Sequence, residues 1–213
     1  MEKSSRQKKG QKSTSTSPSV PGRLPVDLRF DSIVTKRLLL RRLRATDADM
    51  IFSYHSNPTV VRDQLWHPVH FAEVEEFVTD QTGIVPDTPG TWFQLAICRR
   101  EDGIFVGDCG MYFPENDPLQ AEIGYTLIPS EKHHGYATEA VRAILGYLFG
   151  TCRKHRVTAS VNARNTSSIA LLKRIGMQQE AHFREDVLLD GVWCDSLVYA
   201  ILEREWNEHA GKF

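Results

Sequence analysis

The chain has 213 residues, of which 41% are apolar and 25% charged, which suits one domain with its own core and leaves little room for a second. Its 26 basic and 27 acidic residues give a net charge of -1, but the balance is divided: residues 1–30 carry seven basic and two acidic side chains, and the remaining 183 carry 19 and 25. A body of net -6 behind an arm of net +5 argues against a domain built to hold nucleic acid or an anionic membrane across its surface.

Residues 1–30, rich in Lys and Ser and holding Pro18, Pro21 and Pro25, bury too little apolar surface to offset the entropy of ordering, so a disordered arm is expected there and a folded domain over 31–213. A transit peptide and a nucleic-acid-binding arm are the alternative readings; the prolines spoil an amphipathic helix, and scattered lysines attract phosphate only weakly. No apolar run has the length of a secretory signal or a membrane span. Cys98, Cys109, Cys152 and Cys194 lie far apart without CxxC or CxxH spacing, which favours neither a metal site nor a disulfide framework. A reducing, cytoplasmic setting is expected.

Along the domain, KRLLLRRL at 36–43 reads as a first strand. Thr46 followed by Asp49 resembles a helix cap, with Met50, Ile51 and Tyr54 at helical spacing behind it. A second helix fits 71–84, closed by turn residues from Pro86 to Gly90. Three strands follow between Trp92 and Leu127, joined by loops short enough for an antiparallel meander. The strongest periodicity in the chain spans about 134–149, where Ala137, Ala140, Val141, Ile144, Leu145, Leu148 and Phe149 share one face. A strand at 156–161, a helix at 165–175 ended by Gly176, and two strands meeting at Asp190-Gly191 complete the order. No internal repeat is present.

Chemistry is expected where the strand at 122–127 runs through a short loop into the strongest helix. The first turn of a helix leaves N–H groups unpaired at the positive end of its dipole, and so attracts anions. Gly135 and Ala137 keep bulk away from that turn and Lys132 adds a cation, an arrangement that suits a diphosphate. The GxxxxGK and GxGxxG patterns of nucleotide loops are missing. On spacing alone, a purely structural glycine explains the loop equally well.

Larger patterns bear on that choice. AEIGYxLxP at 121–129, KxxGxA at 132–137 and the following ATEA resemble the acetyl-coenzyme A signature of the GNAT superfamily of N-acetyltransferases. Asn165-Thr-Ser-Ser168-Ile-Ala-Leu-Leu-Lys-Arg-Ile-Gly176-Met resembles a second motif of the superfamily. FRExxLLDGxWxD at 183–195, with Tyr199 and LEREW at 202–206, is similar to the close of the branch typified by ribosomal-protein N-terminal alanine and serine acetyltransferases. The resemblance covers roughly 35–206. It implies an α+β (mixed α/β) fold, with a mostly antiparallel central sheet of about seven strands splayed between the fourth and fifth, and four helices.

The resemblance further implies transfer of an acetyl group from acetyl-coenzyme A, as co-substrate and without a metal, to a primary amine of a protein N-terminus or a small molecule in a ternary complex. Tyr125, Thr126 and Leu127 would meet the pantetheine arm. Lys132, His133, His134, Gly135, Tyr136, Ala137 and Thr138 would hold the diphosphate. Asn165 and Ser168 would contact the coenzyme from the later helix, although a plain helix cap accounts for Asn165 as well. Lys132 stands where Gln or Arg is usual, which keeps the charge but not the planar fork.

The incoming amine must lose a proton, for which Glu122, acting through water, is the candidate base; a structural carboxylate and a substrate anchor are its alternatives. A backbone N–H after Glu122 would meet the acetyl oxygen. Ser168 is the candidate acid, because the position usually held by a tyrosine is Leu172. A helical serine bonded to its own turn is the competing reading. Trp66, His67, His70, Trp92 and Tyr112 are candidates for the acceptor loops. A monomer or homodimer without membrane or nucleic-acid partners is expected. A coenzyme-binding sensor without turnover is the alternative function.

Overall fold

The computed structural model describes residues 30–57, 60, 66, 68–189 and 191–210. The expected arm lies outside the described residues except for Phe30, which is buried with its ring edge-on to Phe93 and Tyr147. Eight strands form one sheet: β1 (Ser32–Val34), β2 (Leu38–Arg42), β3 (Thr91–Arg99), β4 (Phe105–Phe113), β5 (Gln120–Leu127), β6 (Arg156–Asn162), β7 (Gln178–Leu189) and β8 (Val192–Leu202). Their spatial order is β1-β2-β3-β4-β5-β6-β8-β7, and only the β5–β6 pair is parallel. Short loops between β3, β4 and β5 produce the antiparallel meander, whereas β5 reaches β6 through a helix, as a parallel neighbour requires.

Five helices are described: α1 (Ala48–His55), α2 (Phe71–Gly83), α3 (Tyr136–Gly150), α4 (Thr166–Arg174) and α5 (Glu203–Ala210). One buried cluster joins α3 and α4 to Met111, Phe113, Ile123 and Leu127 of the sheet. The other joins α1 and α2 to Ala96, Cys98 and Phe105. Each cluster lies on one face of the sheet, because successive strand side chains alternate. Ala140, Val141, Ile144, Leu145, Leu148 and Phe149 of α3 are at most 3% exposed, and burying each of the larger ones contributes about 1.5–3 kcal/mol. This stripe anchors the turn that begins α3.

The structure departs from the sequence reading at several elements. The strand expected at 36–43 is β2, and the short β1 precedes it, pairing Ile33 with Leu40, so the sheet has eight strands instead of seven. The fifth helix, α5, was not expected because Trp206, stacked on Phe149 at 6.2 Å, is its one large apolar anchor. The cap proposed at Thr46 and Asp49 belongs instead to Asp47. Its buried carboxylate accepts the Arg44 N–H at 2.7 Å and two Arg41 N–H groups at 2.7 and 2.8 Å. Helix α3 starts at Tyr136, not His134, because His133 and Gly135 have φ of 67° and 80°, values that no right-handed helix accommodates.

All four cysteines are free and buried. No helix among the described residues is long and apolar enough to cross a membrane.

Candidate active site

Strands β5 and β6 pair over three rungs only, the last being Glu122 with Thr158. Beyond it β5 continues along β4 to Leu127, and β6 continues along β8 to Asn162, so the fourth and fifth of the expected strands part where a splay was predicted. The Ile128 N–H bonds to Val106 O at 3.0 Å. Antiparallel alternation then commits the even-numbered residues of β5 to β4; the last parallel rung uses the Ile123 N–H, and the Ile123 C=O with the N–H and C=O groups of Tyr125 and Leu127 turn into the gap. An extended chain can dock against such an open edge as an added strand. A cavity of about 690 Å³ runs through the opening and is lined from both sides of the sheet.

Glu122 stands half-buried at the last rung and lines that cavity. Its side chain, with Gly124 and Thr126, takes the α1–α2 face; Ile123, Tyr125 and Leu127 take the α3–α4 face. There the Tyr125 hydroxyl meets the Ser168 hydroxyl at 2.7 Å. Burial pushes the Tyr125 phenol up to about 12, against a smaller opposing effect of the Ser168 hydrogen bond. Ser168 itself is set by Asn165, whose Oδ1 accepts the Ser168 N–H at 3.1 Å and the Ser167 hydroxyl at 3.3 Å. Asn165 therefore caps α4, and it also lines the cavity, as does the buried Leu172.

The loop from Lys132 to Thr138 follows a single 3-10 turn at Pro129–Glu131. Lys132, His133, His134 and Gly135 are exposed, and the His134 ring stacks on the buried Tyr136 at 5.6 Å. The first N–H accepted by the start of α3 is that of Glu139, on Gly135 O at 3.1 Å, which leaves those of Tyr136, Ala137 and Thr138 for an anion. A Cβ on Gly135 would lie 3.3 Å from Arg37 Nη2, and its backbone is left-handed. The left-handed conformation is what favours glycine there, since the Arg37 tip could shift by a few tenths of an ångström.

A clamp that no local pattern announces holds this turn to the sheet. Glu139 accepts the Thr35 hydroxyl at 2.6 Å, the Arg37 N–H at 2.8 Å and Arg37 Nε at 2.7 Å. Arg37 Nη1 also donates to His134 O at 2.8 Å, and its guanidinium lies 4.9 Å from the centre of the Tyr136 ring. Burial raises the Glu139 carboxyl, and the Thr35 and Arg37 donors outweigh it and hold the group below its ordinary range.

The structure therefore brings Glu122, Tyr125, Thr126, Asn165 and Ser168 to one cavity and sets 132–138 at a helix start. Thr126 lines the cavity from the α1–α2 face, its backbone committed to β4. Among the acceptor candidates, Trp66 and Trp92 line the cavity. Tyr112 packs on Trp92 at 5.4 Å. His70 instead caps α2, its N–H bonded to Glu73 at 2.9 Å, and His67 lies outside the described residues. The Tyr125 hydroxyl as a proton-bearing group, the Arg37–Glu139 clamp, and Asp108, Gln94 and His55 in the cavity wall were not anticipated. A polar residue inside an otherwise apolar strand, as in FVGDCGMYF, was the one available signal for Asp108.

Residues 37–178 match the family model described as an acetyltransferase (GNAT) domain. An N-acetyltransferase of Bacillus subtilis (strain 168), described as uncharacterized, is 30% identical over 177 residues, covering 82% of this chain and 99% of that one. The ribosomal protein uS5 alanine N-acetyltransferase of Escherichia coli (strain K12) is 30% identical over 194 residues, covering 82% and 92%. A solved GNAT-family acetyltransferase from Bacillus anthracis superposes with a TM-score of 0.72 at 28% identity, covering 82% and 99%.

Proposed function

The chain belongs to the GNAT acetyltransferase family, and from that premise we propose that it passes the acetyl group of acetyl-coenzyme A directly to a primary amine bound on the α1–α2 side of β5, with Glu122 as base and the Tyr125–Ser168 pair as proton donor. One observation carries this reading: a carboxylate and a pair of hydroxyls project from opposite faces of β5 at the point where β5 and β6 part. A base and an acid on opposite sides of the reacting carbon act on different partners without neutralising each other.

The coenzyme supplies an acetyl group activated as a thioester. The open Ile123 C=O and the open backbone of Tyr125 and Leu127 suit its pantetheine arm, and the free N–H groups at the start of α3 suit its diphosphate. Glu122 takes a proton from the arriving ammonium through a water, leaving a neutral nitrogen. Backbone N–H groups of β5 beyond Glu122 donate to the acetyl oxygen. The nitrogen attacks the acetyl carbon and the C–S bond breaks: Tyr125, which holds its proton at neutral pH, gives it to the departing sulfur with Ser168 as its bonded partner, and the second proton shed by the nitrogen returns through water to the phenol oxygen. The reported substrate of the Escherichia coli relative, an alanine amine of a ribosomal protein, supports a primary amine as acceptor. The four free, buried cysteines support a reducing, cytoplasmic setting.

The test offers the purified protein acetyl-coenzyme A and a panel of amines and measures release of free thiol. Glu122→Gln is expected to lower kcat by about 10²-fold, the lower end of general-base contributions. Coenzyme binding without thiol release from any amine would establish a coenzyme-binding module in place of an enzyme. Absence of coenzyme binding would overturn both readings.

A further inference from the structure

The acceptor side of the cavity holds more polar chemistry than deprotonation of one amine requires. Three rungs cross β3, β4 and β5 on that face: Trp92, Tyr112 and Glu122; then Gln94, Gly110 and Gly124; then Ala96, Asp108 and Thr126. The middle rung has two glycines, and a Cβ on Gly110 would fall 2.1 Å from Gln94 Oε1. The Gln94 amide and the Trp92 ring fill the room over these glycines and floor the trough that the cavity forms between Glu122 and Asp108. Their backbones lie about 14 Å apart, four residues of strand at about 3.4 Å each.

Asp108 is 3% exposed. Gln94 Nε2 donates to its Oδ2 at 2.8 Å, and His55 Nε2 lies 3.5 Å from the same oxygen. His55 lines the cavity at 4% exposure, and among the described residues neither of its ring nitrogens has a hydrogen-bond partner. The buried Tyr54 hydroxyl lies beside Asp108 but outside the cavity lining. Buried polar groups are ordinarily paired, and a buried carboxylate ordinarily has a cation. Here Asp108, Glu122, Asp186 and Asp195 all line the cavity, and among the described residues no lysine or arginine does. Trp66, packed on both His55 and Phe77, makes the adjoining wall aromatic, a surface that favours a cation over an anion.

We propose that Asp108, with His55, forms a second acceptor subsite that takes an ammonium group at the far end of the molecule being acetylated, so that the preferred acceptor is an elongated diamine. A distal ammonium is a strong N–H donor, and the subsite offers it a carboxylate and an imidazole nitrogen. The inference rests on Glu122 marking the reacting end, as proposed above. Asp108 acts on the acceptor's position and takes no part in the proton transfers.

The test compares 1,6-diaminohexane, 1-aminohexane, 1,2-diaminoethane and a tripeptide beginning with alanine, by thiol release and by titration calorimetry with coenzyme A present. The long diamine is expected to exceed 1-aminohexane by about tenfold or more in kcat/KM, mainly through KM, the scale of one charge-assisted hydrogen bond at a buried site. The short diamine cannot reach both ends of the trough and is expected to lack this advantage. Asp108→Asn, with its fold checked by melting, should bring the two six-carbon amines to nearly equal KM values. Equal kcat/KM for those two with the wild-type protein overturns the subsite while leaving the acetyltransferase reading intact, as does preference for the peptide. If no amine is turned over, the acetyltransferase reading fails, and equal calorimetric affinity for the two six-carbon amines then overturns the subsite independently. Tighter binding of the diamine, abolished by Asp108→Asn, supports it.

Discussion

Replacing Arg37 by leucine is expected to weaken coenzyme A binding about 5- to 30-fold, with the fold largely retained. The side chain bonds Glu139 through Nε at 2.7 Å and His134 O through Nη1 at 2.8 Å, and both contacts disappear. The Arg37 main-chain N–H, 2.8 Å from Glu139 Oε1, remains. A hydrogen bond to a charged group is worth about 1.5–3 kcal/mol. Arg37 is 43% exposed and Glu139 18%, so solvent screening brings the loss to about 1–2 kcal/mol. If this order must be restored when the diphosphate binds, at about 1.4 kcal/mol per factor of ten the affinity falls by the stated range. Titration calorimetry with coenzyme A measures it, and urea unfolding separates it from global destabilisation. Glu139→Gln provides the decisive contrast: under the clamp it also weakens binding, and the double variant is little worse than the poorer single one. If Arg37 served the phosphates directly, releasing it from Glu139 would strengthen binding. Tighter binding by Glu139→Gln, or fully additive losses, would refute the clamp.

The same clamp has a pH signature. The folded Glu139 carboxyl sits below its ordinary range, so its contribution is fully present above about 4.3, the ordinary glutamate value, and is lost as pH falls through the lowered folded value. The stability difference between wild type and Glu139→Gln in urea should therefore shrink with acidification; a constant difference would remove the carboxylate from the account. Tyr125→Phe is expected to lower kcat by about 10²-fold while sparing the KM for acetyl-coenzyme A. With the phenol titrating at about 12, the wild-type rate should show no fall in mildly alkaline solution; an unchanged kcat in the variant would pass the donor role to Ser168. Away from the site, Lys154 is fully buried, paired with Asp87 and donating to Pro118 O at 2.7 Å. Lys154→Met leaves the Asp87 carboxylate without its cation and is expected to cost about 3–5 kcal/mol in urea unfolding, part of it recovered on adding Asp87→Asn.

The half proposed to hold the coenzyme was legible in the sequence because its determinants are contiguous. One unbroken helical stripe from Ala137 to Phe149 sets α3 on the sheet, and the glycine at 135 precedes it directly. The splay between β5 and β6 follows from two separate strands whose register ends at Glu122 and Thr158, which only the motif resemblance could locate. Elements with few apolar residues escaped: β1 has three residues and α5 rests mainly on Trp206. The start of α3 shifted by two residues because periodicity reports a face and is silent on the left-handed φ of His133 and Gly135.

The acceptor half was illegible for a different reason. Asp108 follows Gly107 and precedes Cys109 in an apolar strand, and nothing local distinguishes a polar residue at a sheet edge from one buried at its centre. Its meaning depends on Ala96 and Thr126 flanking it across two strands and on α1 bringing Tyr54 and His55 against it. Chemistry shared among β3, β4 and α1 leaves no spacing to read, because each element contributes one or two residues. A loop that binds phosphate through its own backbone can be carried intact in one segment. A pocket that measures the length and charge of an acceptor must be assembled from several. In the proposed arrangement the acceptor can therefore be changed one wall residue at a time without disturbing the loop at the start of α3, and Asp108 and the neighbouring Gln94 and Trp92 side chains are the first positions at which to look for a change of substrate preference.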